Sequence, residues 1–309
     1  MLTIILACCN GKIYLKEQIE SILAQDYQDF KLFIRDDDSR DGTKDLIETF
    51  EMMHPDKIRV VHDDKKAGSA AKNFFILMKE AADADYIMFA DQDDFWEPWK
   101  VSKAVKRMQQ AELAEGAGKP LLCHGDPLVA DEKLNTLSKS MGKMQKLDYR
   151  RHQFKDYLVQ NNVTGCTMII NKALNDLITT MPDEAIMHDW WLALAASAFG
   201  RVYYFGEAGI KYRQHYTNTE GVKNLSSPVY AVKKLFDRKG MKASVEKTYA
   251  QARAFEEIFK DSLDIEKEEQ LMMYVSMEKM GRLAKWKTMK DYHFSKSGFA
   301  RQSGYLFFG

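Results

Sequence analysis

Carboxylates follow three of the four apolar segments in the first hundred residues. The acidic clusters are Asp36-Asp37-Asp38, Asp63-Asp64 and Asp91-Gln92-Asp93-Asp94, and the remaining apolar segment is followed by Asn10-Gly11. Carboxylates one residue apart after a strand can both face a hard divalent cation, and Mg²⁺ or Mn²⁺ binds such oxygens together with substrate phosphates. In that chemistry the cation neutralises charge on a leaving nucleotide diphosphate. A solvated acidic turn is the alternative for each cluster taken alone.

The cluster containing Asp91 and Asp93 is the strongest metal candidate. It directly follows the apolar run 86–90 and precedes Phe95-Trp96 and Pro98, which favours the first turn of a helix. Asp93 is therefore the main candidate ligand, with Asp91 beside it.

Alternating elements must position these carboxylates. The apolar runs predict strands at 2–8, 30–36, 57–62 and 85–90, and the periodicity between them predicts helices at 12–24, 43–53 and 70–82. Strands separated by helices indicate a parallel sheet, whose ligands collect at the carboxyl ends of the strands. The fold class is therefore α/β, with a mostly parallel central sheet and flanking helices.

The second half of the chain continues with mixed elements. We predict a helix at 98–115, strands near 120–124, 163–170 and 201–206, a helix at 171–180 and a buried helix at 188–199. Residues 125–150 are polar and predict irregular surface structure or a hairpin. From about residue 223 the composition changes, and 228–290 predict a helical C-terminal extension without strands.

Composition excludes several classes of protein. The 309 residues carry 45 basic and 45 acidic side chains, so no net charge attracts nucleic acid. The four cysteines form no CxxC pair and predict reduced thiols in a cytoplasmic protein. No apolar run approaches about 18 residues, so no transmembrane helix is predicted.

One alternative is a calcium loop. Asp37, Ser39, Asp41, Gly42 and Glu48 match the spacing of such a loop. The segment before it predicts a strand, whereas a calcium loop requires an entering helix. We favour a strand-to-helix turn, which leaves Asp37 to accept a hydrogen bond from a ligand such as a pyrimidine base.

Five motifs occur together in order: ACCNGKIYLKEQIESILAQDY, FIRDDDSRDGT, FADQDDFW, HDWWLALAASAFG and YRQHYTN. As a set they resemble family 2 glycosyltransferases with the GT-A fold, a Rossmann-like architecture, and in particular the bacterial rhamnosyltransferase-like branch of cell-wall and capsular polysaccharide synthesis. The resemblance covers about residues 1–220. It implies an inverting enzyme with a nucleoside-diphosphate-sugar donor and Mn²⁺ or Mg²⁺ as cofactor.

The resemblance also implies roles for individual residues. Ala7, Asn10 and Asp37 would bind the nucleotide, Asp91 the ribose or metal, and Asp93 the metal. Asp189 falls at the position of the catalytic base, although its type and position alone would suit any helix start. Arg213 and His215 fall in a motif that contacts the diphosphate or metal; from sequence alone, Arg213 fits a surface salt bridge equally well.

Three tryptophans are candidates for contact with a sugar. Trp190 and Trp191 are consecutive in a helix and must point to different faces. One is expected in the core, and the other could stack on a sugar ring. Trp96 carries the same two interpretations, with core packing as the default.

The resemblance implies a division of the chain. Residues 1–222 would form the catalytic domain, with a nucleotide-sugar half at about 1–115 and an acceptor half at about 116–222, and 223–309 a helical C-terminal region. The tail from Gly281 holds six basic residues and one acidic residue. Two interpretations stay open for this tail: contact with the inner face of the cell membrane, near a lipid-linked acceptor, or a helical cap or dimer interface.

Donor and acceptor stay open at the level of sequence. The branch favours dTDP-rhamnose, with UDP-hexoses as alternatives, because Asp38 and Cys9 replace residues common in the family motifs. The acceptor would be a glycan, a lipid-linked glycan or a glycoprotein. The alternative function is a catalytically silent nucleotide-sugar-binding partner in a glycan-assembly complex.

Overall fold

The computed structural model describes residues 1–63, 66–215 and 238–308. Asp64, the predicted boundary at 222–223 and the first part of the predicted helical stretch at 228–290 lie outside the described residues.

A mixed sheet forms the centre of the protein. Its strands are β1 (Leu2–Cys8), β2 (Phe30–Asp36), β3 (Ile58–Val60), β4 (Tyr86–Ala90), β5 (Phe95–Trp96), β6 (Leu121–Ala130), β7 (Thr136–Ser138), β8 (Ile169–Asn171) and β9 (Arg201–Arg213). Eight of them lie in the order β3-β2-β1-β4-β8-β6-β9-β5, and β7 pairs with β6.

The predicted parallel arrangement is confirmed for the first four strands. β1 pairs in parallel with β2 and with β4, and β2 pairs in parallel with β3. Beyond β4 the sheet is mixed, because β8 enters antiparallel to both of its neighbours, from a short 3₁₀ turn and without a crossover helix. The carboxyl ends of β1, β2 and β4 therefore meet at one edge, as the acidic clusters predicted.

Helices cover the sheet. They are α1 (Lys12–Leu23), α2 (Thr43–Met53), α3 (Ala70–Glu80), α4 (Lys100–Glu115), α5 (Met141–Gln145), α6 (Phe154–Val159), α7 (Lys172–Leu177), α8 (His188–Phe199), α9 (Arg238–Phe259), α10 (Ile265–Ser276), α11 (Arg282–Asp291) and α12 (Phe299–Phe308). The turn before α2 is the predicted one: Gly42 has φ +89°, and Asp41 accepts a hydrogen bond from the Thr43 N–H. Glycine suits this left-handed conformation because it has no Cβ.

The middle of the chain is more regular than the sequence predicted. β6 extends to Ala130 and forms a hairpin with β7, after which α5 buries Met141. The strand predicted near 201–206 is longer than expected and forms β9, which ends at Arg213. The short β5 pairs with β9 so that Phe95 lies opposite Lys211, and this register brings residues 91–94 beside the end of β9.

The C-terminal helices share a core with the sheet. Trp191 of α8 is buried, and its ring lies 5.5 Å from that of Phe255 and 6.3 Å from that of Phe259, both on α9. Tyr274 of α10 and Tyr305 of α12 are buried in the same hydrophobic cluster. The described part of the C-terminal region therefore packs directly against the helix that begins at His188.

Candidate active site

A cleft of about 810 Å³ opens at the edge where β1, β2 and β4 end. Six of the predicted site residues line it: Ala7, Asp37, Asp91, Asp93, Asp189 and Trp190. Asp93 and Asp189, which are separated by almost a hundred residues of sequence, thus face one space. Both carboxylates are therefore accessible to a ligand in the same cavity.

Asp91 lies among negative charges. Burial of its carboxyl group, together with the nearby carboxylates of Asp93 and Asp189, raises the pKa of Asp91 to about 7. Like charges held close together in a poorly solvated site disfavour ionisation. A divalent cation among these carboxylates would remove that penalty.

His215 places an imidazole nitrogen beside the carboxylate of Asp93. Its Nε2 lies 2.8 Å from Asp93 Oδ2, and its ring packs 4.8 Å from that of Tyr14. β9 and its pairing with β5 deliver this histidine to the carboxylates from the far end of the sheet. Carboxylate oxygens and an imidazole nitrogen together suit Mn²⁺.

Asp94 and Cys166 lie close to Asp91 but below the cleft. Ligand atoms of these three residues fall within 4.8 Å of one another. Burial raises the pKa of the Cys166 thiol well above its usual range, so the neutral thiol is favoured, and Asp94 accepts a hydrogen bond from the Arg213 N–H at 3.1 Å. Asp94 and Cys166 are fully buried and do not line the cleft, so we assign this pair a structural role.

Arg213, predicted to contact the diphosphate or metal, makes its described contacts with the protein itself. The residue is 2% exposed, and its guanidinium group donates to the carbonyl oxygens of Asp93 at 2.7 Å and Glu132 at 2.6 Å. It also pairs with the carboxylate of Glu17. Arg213 thus holds the backbone at Asp93 and Glu132 and does not line the cleft.

Asp189 occupies the first turn of α8. Its Oδ2 accepts a hydrogen bond from the Gly165 N–H at 3.1 Å, which fixes the carboxylate in the cleft that Asp93 also lines. The preceding His188 is 2% exposed and lies between the rings of Phe74 and Phe89. Burial lowers the pKa of His188 to about 3, so it is neutral at physiological pH.

The three candidate tryptophans differ in burial and in whether they line the cleft. Trp190 lines the cleft and donates its indole N–H to the Tyr157 carbonyl at 2.6 Å, whereas Trp191 is in the core. Trp96 is 1% exposed, with the Lys100 ammonium 4.3 Å from its ring centroid. Trp96 therefore packs in the core and does not line the cleft, which corrects the predicted contact of Trp96 with a sugar.

Asp37 is held by its surroundings. Its two carboxylate oxygens accept hydrogen bonds from the N–H groups of Ala67, at 2.6 Å, and Gly68, at 2.9 Å, and the Arg35 guanidinium lies 3.4 Å away. A carboxylate offers about four acceptor sites, so Asp37 keeps capacity for a ligand N–H. The β2 strand that precedes the turn, in place of an entering helix, argues against a calcium loop.

Asn10 and Gln92 organise the loop after β1. Asn10 has φ +51°, and its side-chain oxygen accepts a hydrogen bond from the Arg40 N–H, so it shapes the turn beside the cleft. Gln92 was not predicted as a site residue. Its side-chain amide accepts a hydrogen bond from the Cys9 N–H and donates one to the Cys9 carbonyl oxygen. Its position between the two carboxylates of the DQD motif was the only signal of a role.

A comparison with sequence models of known families identifies the family of this chain. The sequence model described as Glycosyl transferase family 2 matches residues 3–178, which contain β1 to β8 and the DQD motif. The chain is a member of this family. The predicted family and the prediction of a glycosyltransferase are confirmed.

Relatives of this family 2 glycosyltransferase span most of its length. It is 29% identical over 229 residues to the dTDP-rhamnosyl transferase RfbG of Shigella flexneri, covering 70% of this chain and 73% of the relative. It is 27% identical over 216 residues to TuaG of Bacillus subtilis (strain 168), a glycosyltransferase attributed to teichuronic acid biosynthesis, covering 69% and 79%.

Solved structures share the fold of the family 2 enzyme at low sequence identity. S. aureus TarS 1–349, solved with UDP-GlcNAc, has a TM-score of 0.55 at 16% identity and covers 99% of this chain and 89% of its own. The mannosyltransferase PcManGT of Pyrobaculum calidifontis, solved with GDP-Man and Mn²⁺, has a TM-score of 0.55 at 15% identity, covering 94% and 73%. The predicted GT-A fold with a helical C-terminal region is confirmed.

Proposed function

We propose that the protein is an inverting glycosyltransferase that moves a sugar from a nucleoside-diphosphate sugar to an acceptor hydroxyl in bacterial cell-wall polysaccharide synthesis. The observation that carries this proposal is the shared cleft between Asp93 and Asp189. A donor whose diphosphate lies at Asp93 would present the far face of its sugar toward Asp189. Attack from that face inverts the anomeric centre.

In this proposal Asp189 is the general base. An acceptor hydroxyl is a poor nucleophile until its proton is removed, and a positioned carboxylate can accept that proton as the new bond forms. Hydrogen bonds from the Gly165 N–H to Oδ2 and from the Trp190 N–H to Oδ1 orient the carboxylate. Trp190, half-buried at the cleft, provides an aromatic face beside the reacting sugar.

Asp91, Asp93 and His215 would hold Mn²⁺ or Mg²⁺. When bound, the cation supplies charge neutralisation for the leaving nucleoside diphosphate. The converging carboxylates and the raised pKa of Asp91 fit such an ion. Ala7 and Asp37 lie on the same cleft and would contact the nucleotide.

For the donor we propose dTDP-rhamnose, with a UDP-hexose as the alternative. The likeness to a dTDP-rhamnosyl transferase over 70% of the chain supports the first. The acceptor would be a hydroxyl of a glycan, a lipid-linked glycan or a glycoprotein. The teichuronic acid attribution of a second relative supports a cell-wall glycan.

A panel of donors tests the proposal. Thermal unfolding is measured with dTDP-rhamnose, UDP-glucose, UDP-galactose and GDP-mannose, each with Mn²⁺, with Mg²⁺ or with chelator. A ligand that binds only the native state raises the melting temperature by mass action. One dTDP- or UDP-sugar should raise it only when a cation is present, and Asp93→Asn should abolish this shift while exposed Asp83→Asn retains it. No shift with any dTDP- or UDP-sugar contradicts the proposed donor class.

Turnover separates the enzyme from a silent binding partner. Release of nucleoside diphosphate from the best-binding donor is measured in the presence of a cell-wall glycan extract and with the donor alone. Acceptor-dependent release supports the enzyme, and donor binding without any release supports the silent partner.

We further propose that the tail touches a membrane surface. Leu283 and Phe307 are 82% and 62% exposed, and the exposed Arg282 and Lys287 lie on the same helix as Leu283. Exposed apolar side chains beside cations suit an anionic lipid surface. Among the described residues no helix has the length and apolar character to cross a bilayer. Leu283→Asp with Phe307→Asp should abolish co-sedimentation with anionic vesicles; equal pelleting of parent and variant would support the helical-cap or dimer interpretation.

A further inference from the structure

Lys100 is a buried cation to which the proposed mechanism assigns no role. It is the first residue of α4 and is 1% exposed. Its ammonium group donates to the Cys166 carbonyl at 3.0 Å and lies 4.3 Å from the centroid of the Trp96 ring. Burying a charge costs free energy unless polar groups compensate for it, so these contacts are what keeps the lysine in place.

Two local effects disfavour a cation at this position. Burial lowers the pKa of Lys100 to about 8, a shift that the nearby Asp94 opposes. The start of a helix also carries positive partial charge, so lysine is an unfavourable residue type in its first turn. A residue that breaks such local rules is expected where another interaction requires it.

The carbonyl that Lys100 holds belongs to the 3₁₀ turn Gly165–Thr167. The turn is closed by a hydrogen bond from the Met168 N–H to the Gly165 carbonyl at 3.1 Å. A buried backbone carbonyl requires a donor, and Lys100 supplies one to Cys166 from a different element of the fold. Lys100 thus ties this turn to the start of α4.

The first residue of the same turn orients Asp189. Gly165 donates its N–H to Asp189 Oδ2 at 3.1 Å. Gly165 also lies in close contact with the ring of His188, since an added Cβ on the glycine would lie 2.7 Å from His188 Nε2. The turn therefore cannot move closer to that ring, and a shift away from α8 would lengthen the hydrogen bond to Asp189.

We propose that Lys100 is a positioning residue for Asp189: by holding the Cys166 carbonyl, it fixes the turn whose Gly165 N–H orients the carboxylate. This inference rests on the proposed role of Asp189 as the general base. Lys100 is not among the described residues that line the cleft, so its effect reaches the reaction through the turn and not through contact with the donor or the acceptor.

Lys103, one helical turn further along α4, offers a matched control. Its ammonium group donates to the Glu207 carbonyl at 2.7 Å and lies 4.7 Å from the centroid of the Trp99 ring. It makes the same two kinds of contact as Lys100, but its carbonyl belongs to β9 and not to the turn that bonds Asp189.

Steady-state kinetics with the best-binding donor and a cell-wall glycan acceptor compare the full-length parent with Lys100→Met and Lys103→Met over a range of Mn²⁺ concentrations. Lys100→Met should lower kcat by about tenfold or more, because a displaced base is less effective, and should change the donor KM by less than about twofold. Lys103→Met should retain both values. A parent-like kcat in Lys100→Met overturns the inference. So does a loss of kcat that added Mn²⁺ restores, because Lys100 would then act through Asp94 and the carboxylates beside it.

A double-mutant cycle with Asp189→Asn separates positioning from a general structural effect. In the Asp189→Asn background Lys100→Met should lower the rate of single-turnover transfer no further, because the group that it positions is already inactive. A further loss of about tenfold shows that Lys100 acts elsewhere and overturns the inference. A parent-like rate in Asp189→Asn alone removes the proposed base together with this inference, so the two failures are distinguishable.

Amide hydrogen exchange reports on the turn without turnover. The Gly165 N–H should exchange much more slowly than that of the exposed Gly118 in the parent protein. Lys100→Met, or Lys100→Gln if the first variant does not fold, should speed this exchange while the amides of α9 keep their protection. A Gly165 N–H that exchanges as fast as that of Gly118 in the parent overturns the inference without any variant.

Discussion

The side-chain amide of Gln92 bonds both backbone groups of Cys9, accepting from the N–H at 2.8 Å and donating to the C=O at 3.0 Å. It thereby joins the exits of β1 and β4 beyond the last backbone pairing of those strands. Gly11 leaves room for this contact, since a Cβ there would lie 2.2 Å from Gln92 Oε1. The middle residue of the DQD motif thus sets the distance between the loop after β1 and the carboxylates of Asp91 and Asp93.

Gln92→Ala should therefore raise the donor KM. Loss of two hydrogen bonds to a loop is expected to weaken donor binding by about tenfold, with kcat changed less, because Asp189 is untouched. Steady-state kinetics with varied donor measure this split. Gln109→Ala, at an exposed position on α4, is the control.

A double-mutant cycle tests the same contact from the other side. Gly11→Ala should lower both the melting temperature and donor affinity in the parent protein but cost much less in the Gln92→Ala background, where the obstructing side chain is gone. Additive effects would show that the two residues are independent.

Asp189→Asn should abolish proton removal while retaining the contact to Gly165, because the amide oxygen can still accept the hydrogen bond. We expect kcat to fall by about 10²–10⁴-fold with unchanged donor binding. Single-turnover transfer and the donor-induced thermal shift report the two quantities. Asp183→Asn, at an exposed position shortly before α8, should behave as the parent; a fall in kcat below about tenfold for Asp189→Asn removes it from the base role.

Arg213→Met should destabilise the fold. Three charge-assisted contacts, to Asp93, Glu132 and Glu17, disappear from a buried position. The free energy of unfolding should fall by about 3 kcal/mol or more, measured by urea denaturation. Arg201→Met, which breaks an exposed pair with Glu115, should cost about 1 kcal/mol or less. Equal losses in the two variants would contradict the structural role of Arg213.

His188 should make the protein sensitive to acid. Its pKa is lowered from 6.5 to about 3 on folding, because burial disfavours the charged ring. Above pH 6.5 the ring is neutral in both the folded and the unfolded state, and burying it costs no protonation energy. As the pH falls from 6.5 toward 3, the unfolded state binds a proton that the folded state does not, so the free energy of unfolding falls by up to about 1.4 kcal/mol per pH unit. His188→Met should flatten the fall in unfolding free energy between pH 7 and pH 5; an unchanged slope would show that the ring is not the cause.

The positions of the acidic clusters could be predicted because they depend only on where the apolar strands end and on how those strands pair. Apolar runs predicted β1, β2 and β4, and parallel pairing requires their carboxyl ends to meet. Asp37, Asp91 and Asp93 therefore lie at one edge, as expected from sequence. The helix starting at His188 was likewise predicted from an apolar run and its terminal glycine.

The direction of individual side chains could not be predicted, because long-range partners decide it. Arg213 does not line the cleft because Glu17, 196 residues away in sequence, and two backbone carbonyls capture it. The sequence predicted that Trp190 and Trp191 point to different faces of their helix. Only the packing of α9 shows that Trp191 is the buried one. Glu17 lies within the first motif, but nothing in that motif indicates its pairing with Arg213, and Phe255 lies outside the motifs.

The contact of Trp191 with Phe255 and Phe259 limits how such enzymes can be recombined. The helix bearing Asp189 has its reverse face closed by α9, so a foreign C-terminal region joined near residue 222 would have to recreate the same aromatic surface. Chimeras intended to exchange acceptor preference should therefore carry α8 and α9 together as one cassette.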